Sequence, residues 1–267
     1  MTFFSELEKR IVTANSLLCV GLDPDAARLP ASISVLQFNQ AIIAATHPFV
    51  CAYKLNFAFY EAAGPEGFSL LRETLWYIPQ DIPVIADAKR ADIGNTSKAY
   101  ARAIFDELGF NAVTVNPYLG FDALEPFLEY TDRGVFILCR TSNPGAADFQ
   151  DLQVHTGEGT CPLYQVVADK AAQWNARGNV GLVVGATSID DLRLIRRRHP
   201  GMPFLVPGVG AQGGDLEQSV LYGRSTRGAG LIINASRQVI FASAGPDFAQ
   251  AAGRAAEKLR DDINRYR

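Results

Sequence analysis

Residues 83–96 read PVIADAKRADIGNT, and this stretch indicates a strand followed by a helix. Pro83–Asp87 is a short apolar run of the kind that forms a buried strand. Ionisable residues begin where that run ends, and the apolar residues of Thr96–Leu108 then recur with helical spacing. The stretch therefore predicts one β-α unit with its charged side chains at the carboxyl end of the strand.

The same alternation continues on both sides of this unit. Apolar runs rich in Val, Ile and Leu alternate with amphipathic stretches, which is typical of βαβ units around a parallel sheet. The predicted strands are Ser16–Leu22, Val50–Leu55, Pro83–Asp87, Ala112–Asn116, Val135–Arg140, Val180–Val184, Phe204–Val206 and Leu231–Ile233. The clearest predicted helices are Ser32–Ala45, Thr96–Leu108, Cys161–Ala176 and Ser188–Arg198, and a last helix is predicted to have Pro246 in its first turn beside Asp247. Eight strands are the number that a closed (β/α)8 TIM barrel needs.

The length of the chain suits such a barrel. A (β/α)8 barrel uses about 250 residues as one unit, and this chain has 267. Length alone also allows two small domains. However, no internal repeat, low-complexity tract or Pro/Gly-rich linker divides the sequence. We therefore predict one β/α-barrel catalytic domain over residues 1–267.

The composition is that of a globular protein without a polyanionic partner. Hydrophobic residues make up 48% and charged residues 20% of the chain, which is enough apolar material for a core. The formal net charge of -3 leaves no basic excess for a nucleic-acid backbone. The cysteines lie far apart without a CxxC pair, and no apolar run reaches the ~20 residues of a membrane span. Because Met1–Arg10 also lacks the apolar core of an export signal, we expect a cytoplasmic protein that binds neither nucleic acid nor membrane.

Charged side chains cluster at the ends of two predicted strands. Strand side chains alternate with period two, so Asp87 and Lys89 share a face, as do Lys54 and Asn56 on the second strand. Both pairs can converge at the carboxyl-terminal mouth of a barrel, where the active sites of this fold lie. Buried charges must be paired, so we expect positive and negative side chains to alternate in space in the set Lys54, Asp87, Lys89 and Asp92. A purely structural ion-pair cluster would meet the same requirement, but the position at the mouth favours catalysis.

Lys89 stands between two acidic residues, Asp87 and Asp92, in this run. Two neighbouring carboxylates stabilise an ammonium group, which predicts a raised pKa and a protonated side chain at neutral pH. Lys89 would then donate protons and not accept them. The three histidines are scattered without the spacing of metal ligands, and we interpret each as a surface or packing residue.

A glycine-rich turn follows the seventh predicted strand. Residues 207–214 read PGVGAQGG and contain the pattern GxGxxG. A dinucleotide site would need an acidic residue at the end of the next strand, and residues 231–236, LIINAS, offer none. A barrel phosphate site lies in the loops after strands seven and eight, where glycine lets the backbone approach the phosphate. We therefore predict a phosphate cradle, with a plain connecting turn as the alternative; its members are Gly208, Gly210, Gln212 and Arg237.

One segment interrupts the strand-helix rhythm. Residues 142–160 read SNPGAADFQDLQVHTGEGT, which is polar and longer than the ~12–15 residues usual for a plain connection. Two interpretations stay open, an active-site lid and a tolerated surface insertion.

These motifs together resemble a known family. With Lys54, the run DAKRADIGNT at residues 87–96 and the phosphate elements at Gly208–Gly214 and Arg237, the chain resembles the longer subclass of the orotidine 5'-phosphate decarboxylases. The resemblance begins with the sequence GLDP at residues 21–24. It implies a homodimeric (β/α)8 barrel that converts orotidine 5'-monophosphate to UMP and carbon dioxide in de novo pyrimidine biosynthesis. It also implies that no metal or organic cofactor takes part.

The resemblance implies a role for each matching residue. Lys89 would protonate the C6 carbanion, and the network would be completed by Lys54, Asp87 and Asp92. Asp92 and Thr96 would reach into the neighbouring subunit's site. The implied substrate contacts are Asp23 and Lys54 for the ribose hydroxyls, Ser142 for the pyrimidine edge, and Gln212 and Arg237 for the phosphate.

Two other functions fit part of the pattern. A sugar-phosphate decarboxylase or aldolase-like synthase of the same superfamily resembles the chain in its DxKxxD run but uses magnesium. Those relatives carry an acidic metal ligand at the end of strand two, where this chain has Lys54, and a cation there opposes metal binding. A non-catalytic sensor of phosphoribosyl ligands would keep the phosphate cradle and need no proton donor. Sensitivity to EDTA and the effect of replacing Lys89 distinguish these functions.

Overall fold

Eight parallel strands close into a barrel in the computed structural model, which describes residues 1–157, 159–210, 214–225 and 230–267. The barrel strands are β1 (Leu18–Gly21), β2 (Ala52–Asn56), β3 (Val84–Arg90), β4 (Ala112–Val115), β5 (Gly134–Arg140), β8 (Val180–Val184), β9 (Phe204–Pro207) and β10 (Leu231–Ala235). Two further strands, β6 (Gln153–Thr156) and β7 (Gly159–Pro162), form a separate antiparallel hairpin. Around the barrel the order is β1-β10-β9-β8-β5-β4-β3-β2. The predicted TIM barrel and all eight of its predicted strands are confirmed, with small differences at the strand ends.

Helices follow the strands and cover the outside of the barrel. They are α1 (Phe3–Thr13), α2 (Val35–Thr46), α3 (Phe57–Glu61), α4 (Gly67–Tyr77), α5 (Gly94–Arg102), α6 (Phe121–Leu128), α7 (Ala147–Gln150), α8 (Leu163–Trp174), α9 (Ile189–Arg198), α10 (Leu216–Gly223), α11 (Arg237–Ile240) and α12 (Phe248–Asn264). A π-helical turn, Ala103–Glu107, continues α5. The four helices predicted from apolar periodicity all form.

The barrel strands are buried on both faces over most of their length, which explains why they are largely apolar. Every residue of β8 is buried, as expected for a parallel sheet covered by helices. Helix α1 packs Phe3 against the beginning of β5, where a Cβ on Gly134 would lie only 2.3 Å from the Phe3 ring. The backbone N–H of Phe3 also donates to the carbonyl of Asp132, 2.9 Å away, just before that strand. Helix α1 therefore covers the amino-terminal end of the barrel, and the carboxyl-terminal mouth stays open.

The prediction for the last helix is wrong in one detail. Helix α12 begins at Phe248, so Pro246 precedes the helix instead of lying in its first turn. The Asp247 side chain accepts hydrogen bonds from Ser243 and Arg254 and caps no helical N–H group. The Asp247 carboxylate therefore bonds to nearby side chains and not to the backbone N–H groups at the start of α12.

Residues 142–160, predicted as a long connection, contain regular structure. A 3-10 turn, Pro144–Ala146, leads into α7, and β6 then pairs with β7 in the hairpin, with Val154 opposite Cys161. The hairpin residues are exposed or half-buried. Because neither face is covered, the hairpin lacks the apolar alternation by which a strand is recognised in a sequence.

No helix in the described parts of the chain is long and apolar enough to cross a membrane. All four cysteines are free thiols.

Candidate active site

A cavity of about 350 Å³ opens at the carboxyl-terminal mouth of the barrel. Its walls are formed by residues at or just after the ends of the barrel strands, as expected for the active site of this fold. Seven of the residues predicted from sequence line it, namely Asp23, Lys54, Asp87, Lys89, Ser142, Gly208 and Arg237.

A chain of alternating charges lies on the wall formed by β2 and β3. Lys54 Nζ lies 2.9 Å from Asp87 Oδ2, and Lys89 Nζ lies 2.6 Å from Asp87 Oδ1. Lys54 is only 4% exposed, whereas 48% of the Lys89 side chain is exposed. The inner ion pair is thus buried, and the outer amine is accessible to a molecule in the cavity.

The charges of this array fix the ionisation of its buried members. Burial alone would raise the pKa of Asp87, but the positive charges of Lys54 and Lys89 and their hydrogen bonds hold the pKa well below its usual range. Burial alone would lower the pKa of Lys54, but the negative charges of Asp23 and Asp87 outweigh it and hold the pKa above its usual value. At neutral pH the carboxylate of Asp87 and the ammonium group of Lys54 are therefore both ionised.

Thr114 on β4 connects the backbone of β3 to the charge array. Its Oγ1 accepts a hydrogen bond from the backbone N–H of Lys89, 3.0 Å away, and donates to Asp87 Oδ1, also 3.0 Å away. Lys89 has a φ of 49°, a left-handed conformation that is uncommon outside glycine. The register between β3 and β4 shifts between Ala86 and Arg90. Lys89 thus reaches Asp87 from an irregular strand end, whereas the sequence predicted simple alternation.

Asp23 extends the array toward β1. Its Oδ1 lies 3.7 Å from Lys54 Nζ and accepts a hydrogen bond from the backbone N–H of Asn56, 3.3 Å away. Lys54 is therefore held between two carboxylates, Asp23 and Asp87.

Asp92 and Thr96 are not brought to this cavity within one chain. Asp92 Oδ1 accepts a hydrogen bond from the backbone N–H of Ile93, 2.8 Å away, just before α5. Neither side chain lines the cavity among the residues that the structure describes. Lys89 therefore contacts one acidic residue of its own chain, Asp87, and not the two that the sequence predicted.

The opposite wall is formed by the ends of β9 and β10. Gly208 and Gly210 have φ values of 92° and 71°, which glycine adopts most readily. Two backbone hydrogen bonds close the turn, from Gly210 N–H to the Gly214 carbonyl and from Gly214 N–H to the Gly208 carbonyl. Arg237, the first residue of α11, is exposed and lines the cavity. Gln212, predicted as a phosphate ligand, lies outside the described residues.

Two residues of this wall were not predicted from the sequence, Asn234 and Ser236. Both line the cavity, and Asn234 Oδ1 and Ser236 Oγ are enclosed without a hydrogen-bond partner among the described residues. They alternate with period two at the end of β10, and that spacing was the signal by which they could have been found.

Ser142 is held at the cavity by the end of β5. A Cβ on Gly185 would lie 2.9 Å from the Ser142 backbone nitrogen, so the chain after β8 passes very close to it. Two residues earlier, Arg140 Nε donates a hydrogen bond to Asp191 Oδ2, 2.8 Å away, and Arg140 Nη1 lies 2.8 Å from Asp151 Oδ1 in an ion pair. The second ion pair ties the segment between α7 and β6 to the barrel.

The histidines are engaged in local contacts. His199 Nε2 lies 2.9 Å from Asp169 Oδ1, and His155 Nδ1 lies 2.7 Å from Thr160 Oγ1. Within the described ranges, no group of three or more His, Cys, Asp or Glu residues is placed to hold a metal ion.

Comparison with protein families matches residues 16–253 to the model described as "Orotidine 5'-phosphate decarboxylase / HUMPS family". Among curated proteins, an orotidine 5'-phosphate decarboxylase from Dehalococcoides mccartyi is 56% identical over 267 residues, which cover 100% of this chain and 99% of that protein. One from Thermomicrobium roseum is 53% identical and covered to 96%.

Solved structures give the same result. The structure of Leishmania donovani OMP decarboxylase matches with a TM-score of 0.87 and 41% identity, covering 100% of this chain and 99% of that one. A Toxoplasma gondii structure described as a putative orotidine-monophosphate-decarboxylase matches with a TM-score of 0.88 and 40% identity, covering 99% and 96%.

Proposed function

The chain belongs to the orotidine 5'-phosphate decarboxylase / HUMPS family, and we propose that it converts orotidine 5'-monophosphate to UMP and carbon dioxide with Lys89 as the proton donor. The observation that carries the assignment of Lys89 is the array Lys54–Asp87–Lys89, which ends in an accessible amine at the cavity. The bond from C6 of the pyrimidine to its carboxyl carbon breaks, and the electron pair stays on C6. Lys89 then transfers a proton to C6.

The ammonium group of Lys89 stabilises the negative charge that develops on C6. A unit charge pair at ~4 Å is worth on the order of 4 kcal/mol at an effective dielectric constant of 20. The group is held in place by Asp87 before the reaction begins, so it does not have to reorganise as the charge forms. Because the substrate carries no charge on C6, this interaction favours the transition state over the ground state.

The other members of the array hold Lys89 in position. Asp87 is ionised and accepts hydrogen bonds from Lys54, Lys89 and Thr114, so its place is fixed from three sides. Asp87 also faces the space into which the substrate carboxylate would project. Repulsion there would destabilise the ground state, but we assign the larger effect to stabilisation of the carbanion.

The rest of the cavity binds the nucleotide. Phosphate binding far from the reacting carbon helps to align the substrate and to close the site around it. A guanidinium group can hold two phosphate oxygens at once. The proposed contacts are Gly208, Gly210, Gln212 and Arg237 for the phosphate, Asp23 and Lys54 for the ribose, and Ser142 for the pyrimidine edge.

We propose that the protein acts as a homodimer in which Asp92 and Thr96 complete the partner's site. The loops after β3 and β4 expose apolar side chains, among them Ile93, next to Asp92 in the chain, at 63% exposure and Tyr118 at 81% exposure. Helices α5 and α6, which follow these loops, pack on each other through the Ser97 hydroxyl, which donates to the Ala123 carbonyl. Exposed apolar side chains are typical of protein interfaces, and the adjacent Asp92 does not line the cavity of its own chain. Both observations support pairing of two chains through the loops after β3 and β4.

Lys54 favours the decarboxylase over a magnesium-dependent synthase. Its ammonium group is buried at the end of β2 between Asp23 and Asp87, where a divalent cation would be repelled. The curated relatives named above are also orotidine 5'-phosphate decarboxylases. We therefore propose a reaction without metal or organic cofactor, carried out in the cytoplasm by a single catalytic domain.

The test is decarboxylation of orotidine 5'-monophosphate by the purified protein in the presence of EDTA, followed by the loss of substrate absorbance. We expect full activity with chelator. Activity that requires added magnesium would move the assignment to the synthase, and binding of UMP without any turnover would move it to the sensor.

A further inference from the structure

Asn234 lies on the cavity wall, and the carbonyl oxygen of its side chain accepts no hydrogen bond from the described parts of the chain. The residue is only 7% exposed, its Oδ1 is enclosed without a partner, and the residue lines the cavity. A buried polar atom without a hydrogen bond costs ~1–3 kcal/mol. Such atoms are rare in folded proteins and call for an explanation, of which a missing ligand is one.

The position of Asn234 in the barrel indicates which part of a ligand it faces. Strand β10 lies between β1 and β9, and Asn234 is in register with Cys19 and Pro207. Asp23 follows β1, and Gly208 follows Pro207 at the start of the glycine turn. Lys89 stands on β3, three strands away around the barrel. Asn234 is therefore placed between the ribose and phosphate ends of the proposed site, away from the reacting carbon.

Ser236 gives this part of the wall a second polar group. It stands two residues after Asn234, and its Oγ is also enclosed without a partner among the described residues. A Cβ on Gly21 would lie 2.8 Å from the Ser236 Cβ and 3.0 Å from Asp23 Oδ2. The end of β10 is thus packed closely against the residues that lead to Asp23, which leaves the polar groups at the boundary between the two proposed subsites.

On the basis of the proposed function, we infer that Asn234 is a further substrate-binding residue, whose carboxamide bonds to the phosphoribosyl half of the nucleotide. A carboxamide offers two N–H donors and a carbonyl acceptor, so it can bond to phosphate or ester oxygens and to a ribose hydroxyl. The residue has no part in proton transfer.

The experiment compares Asn234→Ala and Asn234→Asp with the unchanged protein. Inhibition constants are measured for UMP and for ribose 5-phosphate, which lacks the pyrimidine, in competition with turnover of orotidine 5'-monophosphate. We expect Asn234→Ala to weaken both inhibitors ~10-fold, as for the loss of one hydrogen bond to a charged group. Asn234→Asp keeps the shape but presents a negative charge to the phosphate, and the expected weakening is ~100-fold.

Asn179→Ala is the matched control. Asn179 is also buried with an unpartnered Oδ1, but its Nδ2 donates to the Leu128 and Tyr130 carbonyls before β8, outside the cavity. We expect this variant to lower the midpoint of thermal unfolding and to leave both inhibition constants unchanged. Thermal unfolding of each Asn234 variant shows whether it is folded, and the shape-conserving Asn234→Asp provides the test if Asn234→Ala does not fold.

Two results would overturn the inference. Unchanged inhibition constants in both folded variants would mean that water alone satisfies Asn234. Weaker inhibition by UMP with unchanged inhibition by ribose 5-phosphate would place the carboxamide at the pyrimidine. Absence of decarboxylation by the unchanged protein is a separate outcome, which would refute the proposed function itself.

Discussion

At the ends of β2 and β3 the polar groups of the cavity bond to one another, whereas at the ends of β9 and β10 Arg237 and Asn234 Oδ1 have no such partners among the residues that the structure describes. Lys54, Asp87 and Lys89 form a continuous chain of ion pairs, with Thr114 joined to it. On the opposite wall, Arg237 has no ion pair and Asn234 Oδ1 accepts no hydrogen bond among the described residues.

The difference indicates that one wall acts on the reacting carbon and that the other binds the substrate. Groups that act on the reacting carbon have to be held in place before the reaction, because their reorganisation would add to the barrier. Groups that bind the substrate can stay unpaired, because the ligand provides their partner. The wall at the ends of β2 and β3, which we call the chemical wall, should therefore control kcat and stability. The wall at the ends of β9 and β10, which we call the binding wall, should control the binding of the substrate.

The largest expected effect is that of Lys89→Ala, which tests the chemical wall. Loss of the proton donor should lower kcat by at least ~10³-fold. UMP should still bind within about tenfold, ~1.4 kcal/mol, because its proposed phosphate contacts lie on the other wall and its proposed ribose contacts, Asp23 and Lys54, are unchanged. Turnover measured by absorbance and UMP binding measured by calorimetry check the two parts separately, and undiminished turnover would remove Lys89 from its role.

Arg237→Ala tests the binding wall and should have the next largest effect. A hydrogen bond to a charged group is worth ~1.5–3 kcal/mol, so kcat/KM should fall ~10–150-fold. The midpoint of thermal unfolding should stay unchanged, since Arg237 is exposed and has no ion pair among the described residues. Arg254→Ala, an exposed arginine on α12, is the control. Equal losses of activity in both variants would contradict a specific phosphate contact.

Thr114→Val tests how far the positions of Asp87 and Lys89 depend on the hydrogen bonds of the Thr114 hydroxyl. The change keeps the shape of the side chain but removes the bonds to Asp87 and to the Lys89 backbone. We expect a loss of ~1–2 kcal/mol in the free energy of unfolding and a severalfold fall in kcat with little change in KM. Thr114→Ser retains the hydroxyl and should restore kcat. A rise in KM alone would place Thr114 with the binding wall.

The smallest effect concerns the pH dependence of stability. The pKa of Asp87 is held below its usual range in the folded protein, so its stabilising contribution is present above the unfolded pKa of ~3.9 and is lost as the pH falls through that value toward the folded pKa. The difference in free energy of unfolding between the unchanged protein and Asp87→Asn should therefore narrow by ~1 kcal/mol from pH 6 to pH 3. Chemical denaturation at both pH values measures it, and a constant difference would show that Asp87 is not stabilised as an anion.

Much of the barrel could be predicted from the sequence because parallel strands covered on both faces are apolar throughout. Val180–Val184, for example, was located to the residue. The hairpin of β6 and β7 could not be predicted in the same way, because its exposed faces impose no alternation. The glycine turn and Arg237 were recognised from their order along the chain.

The details of the site depended on contacts that a single sequence does not encode. Thr114 lies within a predicted strand, where threonine is a common strand-forming residue, so nothing marked its hydroxyl. Asn234 and Ser236 belong to no motif of the glycine turn, so only their period-two spacing at the end of a predicted strand pointed to them. Asp92 accepts a hydrogen bond from the backbone N–H of Ile93 and does not line the cavity of its own chain, which the charge pattern of the sequence did not indicate.

The left-handed backbone at Lys89 makes this position a poor target for stabilising the protein. A side chain in that conformation costs roughly 1–2 kcal/mol, and glycine is free of this cost. A substitution chosen from backbone conformation alone would therefore put glycine here, and it would remove the accessible amine and the ion pair with Asp87 together.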